Sequence, residues 1–191
     1  MTRVQLPSIS EGKFYALVPA ENGRKEVPLS GVFEAKPNHL LSFRAEKAVP
    51  VESLKSLTAL PVLHEVDLSR GEATDKGVAV LSSCCTLQSV TLDGCAKVTD
   101  AGLESLGRVG SLTALSVSGC SETTDAGVGK LSGLKNLTAL NLSQCPKVTD
   151  GCIPTLTAMS RLASLDVRGT GVTPEGIEKI AKALPKCQIA K

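Results

Sequence analysis

LQSVTLDGCAKVTDAGLESLGRVGS, residues 87–111, is followed by LTALSVSGCSETTDAGVGKLSGLKN, residues 112–136, and by LTALNLSQCPKVTDGCIPTLTAMSR, residues 137–161. Each segment spans 25 residues, and Leu162 opens a further segment at the same interval. Self-similarity at a fixed period of this length is typical of solenoids, in which each repeat packs mainly on its neighbours. The sequence therefore predicts a stack of coils for this part of the chain.

Each coil divides into a strand, a turn and a short helix. In the coil from Leu87, the apolar residues Val90 and Leu92 alternate with polar ones, which is the pattern of a half-buried strand. A Thr-Asp pair then precedes a helical pattern in four coils, and the fifth has Thr173-Pro174. Proline suits the first helical position, so we predict that threonine is the N-cap. We predict that Asp75, Asp100, Asp125 and Asp150 lie in the first turn, where the helix dipole favours them.

The repeat also sets the predicted domain organisation. Five clear coils span residues 63–86, 87–111, 112–136, 137–161 and 162–186, and a short closing strand begins at Cys187. Residues 39–62 form a degenerate first coil, because Leu54, Leu57 and Leu60 match the helical positions of the others. The predicted solenoid therefore covers residues 39–191, and residues 1–38 form a separate N-terminal segment.

The N-terminal segment carries strand and turn signals. KFYALVPA and RKEVPLS flank the sequence Glu21-Asn22-Gly23, and Asn-Gly is a strong hairpin signal. All the aromatic residues, Phe14, Tyr15, Phe33 and Phe43, lie before residue 44. Because a solenoid exposes apolar surface at its ends, we predict that this β-hairpin segment caps the first coil.

The recurring LxxLxLxxC…VTDxGL pattern, from Leu87 to Leu103 and less perfectly from Leu137 to Ile153, resembles the leucine-rich repeat proteins. It is most similar to the cysteine-containing subfamily of F-box-associated proteins, although no F-box-like segment precedes these repeats. The resemblance covers about residues 40–190. It implies an α/β solenoid of right-handed β-α coils, with a parallel sheet on the concave face.

The cysteines at equivalent repeat positions are predicted to be structural. Cys95, Cys120 and Cys145 would form an inward-facing ladder, which does not give the convergent geometry of a zinc site. Cys152 stands where other coils have a glycine, as at Gly102 and Gly127. No motif pairs an acid with a base, so we predict no catalytic residues, no metal and no cofactor.

The concave strand face is the predicted partner-binding surface. Its outward side chains are small, which would let a partner approach closely. The alternative is a solvated sheet face, because the face lacks the aromatic residues and clustered arginines that mark strong interface anchors. The predicted contact residues are Glu65, Asp67, Ser89, Thr91, Asp93, Ser116, Ser118, Asn141, Ser143, Asp166 and Arg168.

Charge and hydropathy bear on the class of partner. The net charge is +2, which makes nucleic acid an unlikely partner, and no apolar run is long enough for a membrane span. The N-terminus lacks the apolar region of a secretory signal, and the seven cysteines read as free thiols. We therefore expect a cytoplasmic or other reducing intracellular compartment.

The function predicted from the sequence is a non-catalytic protein–protein interaction module. It would be a small adaptor or a stable structural subunit of a larger complex, with protein partners. The alternatives are a substrate-recognition subunit of a ubiquitin ligase, by resemblance, a regulator of a small GTPase, and a subunit that contacts RNA. The RNA alternative would use Lys97, Lys147, Lys179, Lys182 and Lys186.

Overall fold

The computed structural model describes residues 2–10, 12–20, 23–29, 32–35, 40–69 and 72–191. Glu21 and Asn22 of the predicted turn, and Gly71 of the first clear coil, lie outside these residues. The strands are β1 (Thr2–Gln5), β2 (Gly12–Ala20), β3 (Gly23–Leu29), β4 (Val32–Ala35), β5 (Leu40–Ala45), β6 (Leu63–Asp67), β7 (Ser89–Thr91), β8 (Ala114–Ser116), β9 (Ala139–Asn141), β10 (Ser164–Asp166) and β11 (Gln188–Ala190). The helices are α1 (Val51–Thr58), α2 (Asp75–Leu81), α3 (Asp100–Leu106), α4 (Asp125–Lys130), α5 (Ile153–Ala158) and α6 (Pro174–Ala183).

The main sheet contains nine strands among the described residues, in the order β11-β10-β9-β8-β7-β6-β5-β2-β3. From β5 to β11 every neighbouring pair is parallel. Helices alternate with these parallel strands, which confirms the predicted leucine-rich repeat solenoid. The N-terminal β segment is also present, because β2 and β3 extend the same sheet by antiparallel pairing.

The coil from Leu87 shows how the repeat produces this fold. Val90 at the centre of β7 is buried between half-exposed neighbours. The chain then turns at Gly94, where φ is 74° and a side chain would be strained. Thr99 caps α3, because its Oγ1 accepts a hydrogen bond from the Ala101 N–H at 3.2 Å. The helix then turns Leu103 and Leu106 into the core between the sheet and the helices.

The core is one continuous stack of aliphatic columns. The residue three places before each coil start is buried in every case, as at Leu60, Cys84, Val109, Leu134 and Met159. Burying a leucine side chain contributes about 1.5–3 kcal/mol, so these columns supply most of the favourable free energy of folding.

Thr123 interrupts a valine column and provides a test of the packing. It lies where the neighbouring coils have Val98 and Val148, and all three are fully buried. Its Oγ1 has no hydrogen-bond partner among the described residues. Thr123→Val should therefore raise the free energy of unfolding by about 1 kcal/mol, because it removes a buried unsatisfied hydroxyl. Urea denaturation measures the change.

The matched control is Val98→Thr, which introduces a hydroxyl at the equivalent position. It should lower the free energy of unfolding by about 1–2 kcal/mol. Equal stability of the wild type and both variants would contradict this description of the column.

Candidate functional site

Strand register arranges the concave face into columns of side chains. The first column joins Glu65, Ser89, Ala114, Ala139 and Ser164 on β6 to β10. The second, two residues further along each strand, joins Asp67, Thr91, Ser116, Asn141 and Asp166. Because neighbouring strands lie about 4.8 Å apart, these side chains form a continuous surface rather than isolated positions.

A shallow concavity of about 280 Å³ lies at the centre of this surface. Its lining includes Ser89, Ala114, Ser116, Ala139 and Asn141, all with short side chains. The groove therefore allows another backbone to approach the sheet closely.

A polar network runs along the edge of the groove. The Asp93 carboxylate accepts hydrogen bonds from the Ser116 hydroxyl and, at 3.1 Å, from the Ser118 N–H. The Ser118 and Ser143 hydroxyls are 2.8 Å apart. Ser143 is only 8% exposed. The expectation that its side chain faces solvent was wrong, because Ser143 is buried beside Ser118, two residues beyond the end of β9.

The N-terminal end of the concave face is rich in charge. The Arg44 guanidinium lies 2.9 Å from Glu26 Oε1 and 3.4 Å from Asp67 Oδ2, and its carbon is 5.2 Å from the Tyr15 ring centre. Burial raises the pKa of the Glu65 carboxyl, and the nearby carboxylates of Glu26 and Asp67 raise it further. Glu65 is therefore a half-buried acid in a negative environment.

The opposite end of the face carries one internal ion pair. Arg168 binds the carboxylate of Asp166 through Nε at 3.0 Å and Nη2 at 2.5 Å. The hydrogen bond from Arg168 lowers the pKa of Asp166. Asp166 and Arg168 are both predicted contact residues, and their charges therefore largely neutralise each other.

The aspartates after each N-cap threonine join successive coils. The Asp75 carboxylate accepts hydrogen bonds from Thr99 N and Oγ1, both at 2.8 Å. The same double hydrogen bond joins Asp100 to Thr124, Asp125 to Thr149, and Asp150 to Thr173. The sequence predicted the first-turn position but not this clamp, because the helix dipole alone explained the aspartate.

A glycine of the following helix makes room for each aspartate. A Cβ atom at Gly127 would lie 2.2 Å from the Asp100 carboxylate, and one at Gly151 would lie 2.5 Å from Asp125. The prediction that Cys152 takes the glycine position is therefore incomplete. In that coil Gly151 provides the space one residue earlier, and a 3₁₀ turn over Asp150–Cys152 buries the cysteine side chain.

The cysteine ladder lies under the turn on the inner side of the sheet. Cys95 Sγ donates to the carbonyl oxygen of Leu68 at 3.4 Å, in the preceding coil. Cys120 and Cys145 repeat this contact with Leu92 and Val117 at 3.3 Å and 3.2 Å. Each thiol therefore satisfies a backbone acceptor of its neighbour without occupying much volume.

The comparison with known families agrees with these repeated contacts. The Leucine Rich repeat family model matches residues 83–107 and 162–181. The chain has a leucine-rich repeat fold. No curated protein sequence matches this leucine-rich repeat protein.

Solved structures with a similar fold include two internalins of Listeria monocytogenes str. 4b F2365. For internalin C2 the TM-score is 0.56 at 18% identity, with 78% of this chain and 69% of that chain covered. For the other internalin, inlF, the TM-score is 0.53 at 19% identity, with 78% and 46% covered. The match to inlF thus spans less than half of its chain. At this identity the likeness concerns the fold alone.

The thiols of this leucine-rich repeat protein fall into buried and exposed groups. Cys84 is buried and its neighbour Cys85 is exposed. Burial raises the pKa of Cys84 to about 11, and that of Cys120 and Cys152 to about 12. Among the described residues, no group of three or more His, Cys, Asp or Glu side chains could hold a metal ion.

The buried thiols should resist alkylation in the native protein. At pH 8, iodoacetamide should modify Cys85 first and leave Cys120 unmodified until urea unfolds the chain, because only the thiolate reacts. Peptide mass spectrometry over time measures both rates. The pKa of Cys120 is raised above the ordinary value of 9.0. The buried, protonated thiol therefore contributes fully to the stability of the fold below pH 9, and this contribution is lost as the pH rises towards 12. Equal native rates for the two cysteines would refute this assignment.

Ion pairs between coils cover part of the remaining surface. Lys97 lies 3.5 Å from Glu72, and Lys147 lies 2.7 Å from Glu122. Two of the lysines considered for RNA contact are therefore paired with carboxylates. No helix within the described part of the chain is long and apolar enough to cross a membrane.

Proposed function

We propose that this leucine-rich repeat protein is a non-catalytic adaptor or structural subunit that docks a protein partner on its concave face. The leucine-rich repeat fold itself supports a protein-interaction module. The observation that carries the proposal is the groove over β7 to β10, where short side chains leave the sheet accessible along its length.

The polar network supports a fixed docking surface. Asp93 orients Ser116 and Ser118, and the Asn141 side chain accepts a hydrogen bond from the Ser143 N–H at 2.9 Å. Side chains that are already held in place lose little conformational entropy when a partner binds. The groove has no aromatic anchor of its own, so a partner would supply the bulky side chains at the centre of the interface.

A reducing intracellular compartment is part of the proposal. All seven cysteines are free thiols, and the ladder thiols donate hydrogen bonds to backbone carbonyls. Proteins with this many unpaired cysteines are typical of reducing compartments.

Ala139→Trp should abolish partner binding while leaving the fold intact. Ala139 lies in the groove, and its half-exposed side chain makes no hydrogen bond that the substitution would remove. A tryptophan there would exclude a partner sterically, so recovery should fall at least about tenfold. Affinity purification from cells of the source organism, with quantitative mass spectrometry, compares the variant with the wild type.

Ala126→Trp is the matched control, because it adds the same side chain at an exposed position of α4. It should bind every partner of the wild type. Retention of all partners by Ala139→Trp, with loss by Ala126→Trp, would place the interface on the helices instead. Circular dichroism and thermal unfolding confirm that both variants are folded.

A further inference from the structure

We propose that Gln144 binds the protein partner directly, through hydrogen bonds from its side-chain amide to a peptide group in an extended segment of that partner. This inference rests on the docking proposed above. Gln144 lies in the turn after β9, three residues beyond Asn141 of the groove. The proposal adds a residue outside the predicted contact set and names the chemical group that it recognises.

The first argument is the backbone conformation of Gln144. Three other coils have glycine at this turn position, and Gly94, Gly119 and Gly169 have φ of 74°, 70° and 67°. Gln144 adopts the same left-handed conformation, with φ of 57°. A side chain costs free energy in this conformation, whereas glycine adopts it freely. Gln144 therefore occupies a position at which the stability of the turn favours glycine.

The turn itself is unchanged by the glutamine. Gln144 donates its N–H to the carbonyl oxygen of Arg168 at 2.7 Å, and Gly119 donates in the same way to Ser143 at 2.8 Å. The glutamine thus adds a side chain to this turn without giving it a different backbone structure. Residues held in a costly conformation without a local structural reason are often found at functional sites.

The second argument is the room that the next coil leaves for the Gln144 side chain. A Cβ atom at Gly169 would lie 2.8 Å from Gln144 Cδ and 3.0 Å from its Oε1. The amide therefore lies across the turn of the following coil, where packing on Gly169 restricts its orientation. A side chain that is already restricted loses little conformational entropy when a partner binds.

The third argument is that this amide is available. The neighbouring polar side chains at the edge of the groove already make hydrogen bonds inside the protein, namely Asp93, Ser118, Ser143 and Arg168. Gln144 is exposed, and its side chain makes no hydrogen bond within the described part of the chain. Its donor and its acceptor are therefore both free for a partner.

The chemistry of the amide indicates which group of the partner it binds. A primary amide offers both an N–H donor and an oxygen acceptor, which are the two functions that a peptide group requires. The adjacent charges of Asp166 and Arg168 pair with each other, so they do not favour an ionic group here. Peptide groups inside a helix bond one another, whereas those of an extended segment remain free. An extended segment therefore fits this site better than a helix.

Urea denaturation tests the backbone argument. Gln144→Gly should raise the urea midpoint by about 0.3 M, because glycine relieves the left-handed strain. The opposite change, Gly119→Gln, should lower the midpoint, because a Cβ atom there has ordinary contacts of 3.6 Å and only the backbone conformation is costly. An unchanged or lower midpoint for Gln144→Gly would mean that the glutamine stabilises its own turn, which would overturn the proposal.

Partner recovery tests the binding role. The proteins measured are those that the wild type recovers and Ala139→Trp loses. Gln144→Gly should reduce their recovery about fivefold although it stabilises the fold. Gln144→Glu retains the size of the side chain but removes the amide donor, so it should reduce their recovery to a similar extent. The matched control is Gln188→Glu, which makes the same change at an exposed position of β11 and should recover these proteins like the wild type.

The outcomes separate this inference from the docking proposal. Wild-type recovery by Gln144→Gly or by Gln144→Glu, with loss by Ala139→Trp, would overturn the role of Gln144 and leave concave-face docking standing. Equal loss in Gln188→Glu would show a general effect of added negative charge and would also overturn it. If Ala139→Trp retains all the proteins, the docking proposal itself fails, and this inference fails with it.

Discussion

Gly107→Ala is expected to destabilise the protein by about 3 kcal/mol, although the backbone at this residue suits any amino acid. Gly107 follows α3 with φ of −57°, so its glycine is not required by a left-handed conformation. A Cβ atom there would lie 2.2 Å from the Lys130 carbonyl oxygen at the end of α4. Because the obstacle is backbone, no side-chain rotation relieves the clash, and the two coils have to separate.

A second glycine, Gly133, lies equally close to the backbone of the neighbouring coil. A Cβ atom at Gly133 would lie 2.8 Å from the carbonyl oxygen of Gly107. The helical sides of these two coils thus approach each other through glycine. In a solenoid, the interface between neighbouring coils carries much of the stability, so separating one pair weakens the whole stack.

Gly110→Ala is the matched control three residues away. A Cβ atom there has no atom within 4 Å, and φ is not positive. This variant should be unchanged or more stable by about 0.5 kcal/mol, because alanine restricts the unfolded chain. Urea denaturation of both variants measures the difference. If Gly107→Ala unfolded at the same urea concentration as the wild type, α3 and α4 would be able to separate without loss of stability.

The repeat made much of the fold predictable from the sequence. Three identical periods reveal which positions are buried, so the strands, the N-cap threonines and the inward position of Cys120 follow from the pattern. The N-cap prediction is confirmed at Thr74, Thr99 and Thr124, whose side chains all accept a backbone hydrogen bond at the helix start.

Contacts between coils were less predictable, because periodicity describes one coil at a time. Asp100 already has a local explanation at the start of a helix, so the pattern gives no sign of its bonds to Thr124. Ser143 alternates like an exposed strand residue, yet it is buried, and its hydroxyl lies 2.8 Å from that of Ser118. Gly151 takes the place beside Asp125 and Cys152 is buried, because a 3₁₀ turn over Asp150–Cys152 replaces the first α-helical turn of this coil.

The candidate site was predictable as a face but not as a set of charges. The strand pattern places Ser116 and Asn141 on the concave side. The surroundings of Glu65 depend instead on β5 of the degenerate first coil and on β2 and β3, which lie outside the repeat and pair in an antiparallel manner. Nothing in a repeat pattern predicts that Glu26 and Arg44 lie beside Asp67.

Phe43→Ala is expected to lower the free energy of unfolding by about 3–5 kcal/mol. Phe43 is fully buried in β5, where it joins the N-terminal segment to the first coil. Its ring centre is 5.1 Å from that of Phe14 on β2, with the rings tilted by 56°. A Cβ atom at Gly12 would lie 2.4 Å from the Phe43 ring, so the backbone of β2 packs directly on it. Alanine leaves a large cavity between two parts of the sheet.

The strands that lose hydrogen-exchange protection in this variant distinguish capping from ordinary core packing. If residues 1–38 cap the solenoid, hydrogen exchange in Phe43→Ala should accelerate first in β5 and β6, and least in β9 and β10, because stability in a repeat stack is local. Phe14→Ala should produce the same pattern more weakly. The double variant should show a coupling of about 1 kcal/mol between the rings. Uniform loss of protection along all strands would mean that the N-terminal segment and the coils unfold as one unit, and the capping prediction would then be wrong.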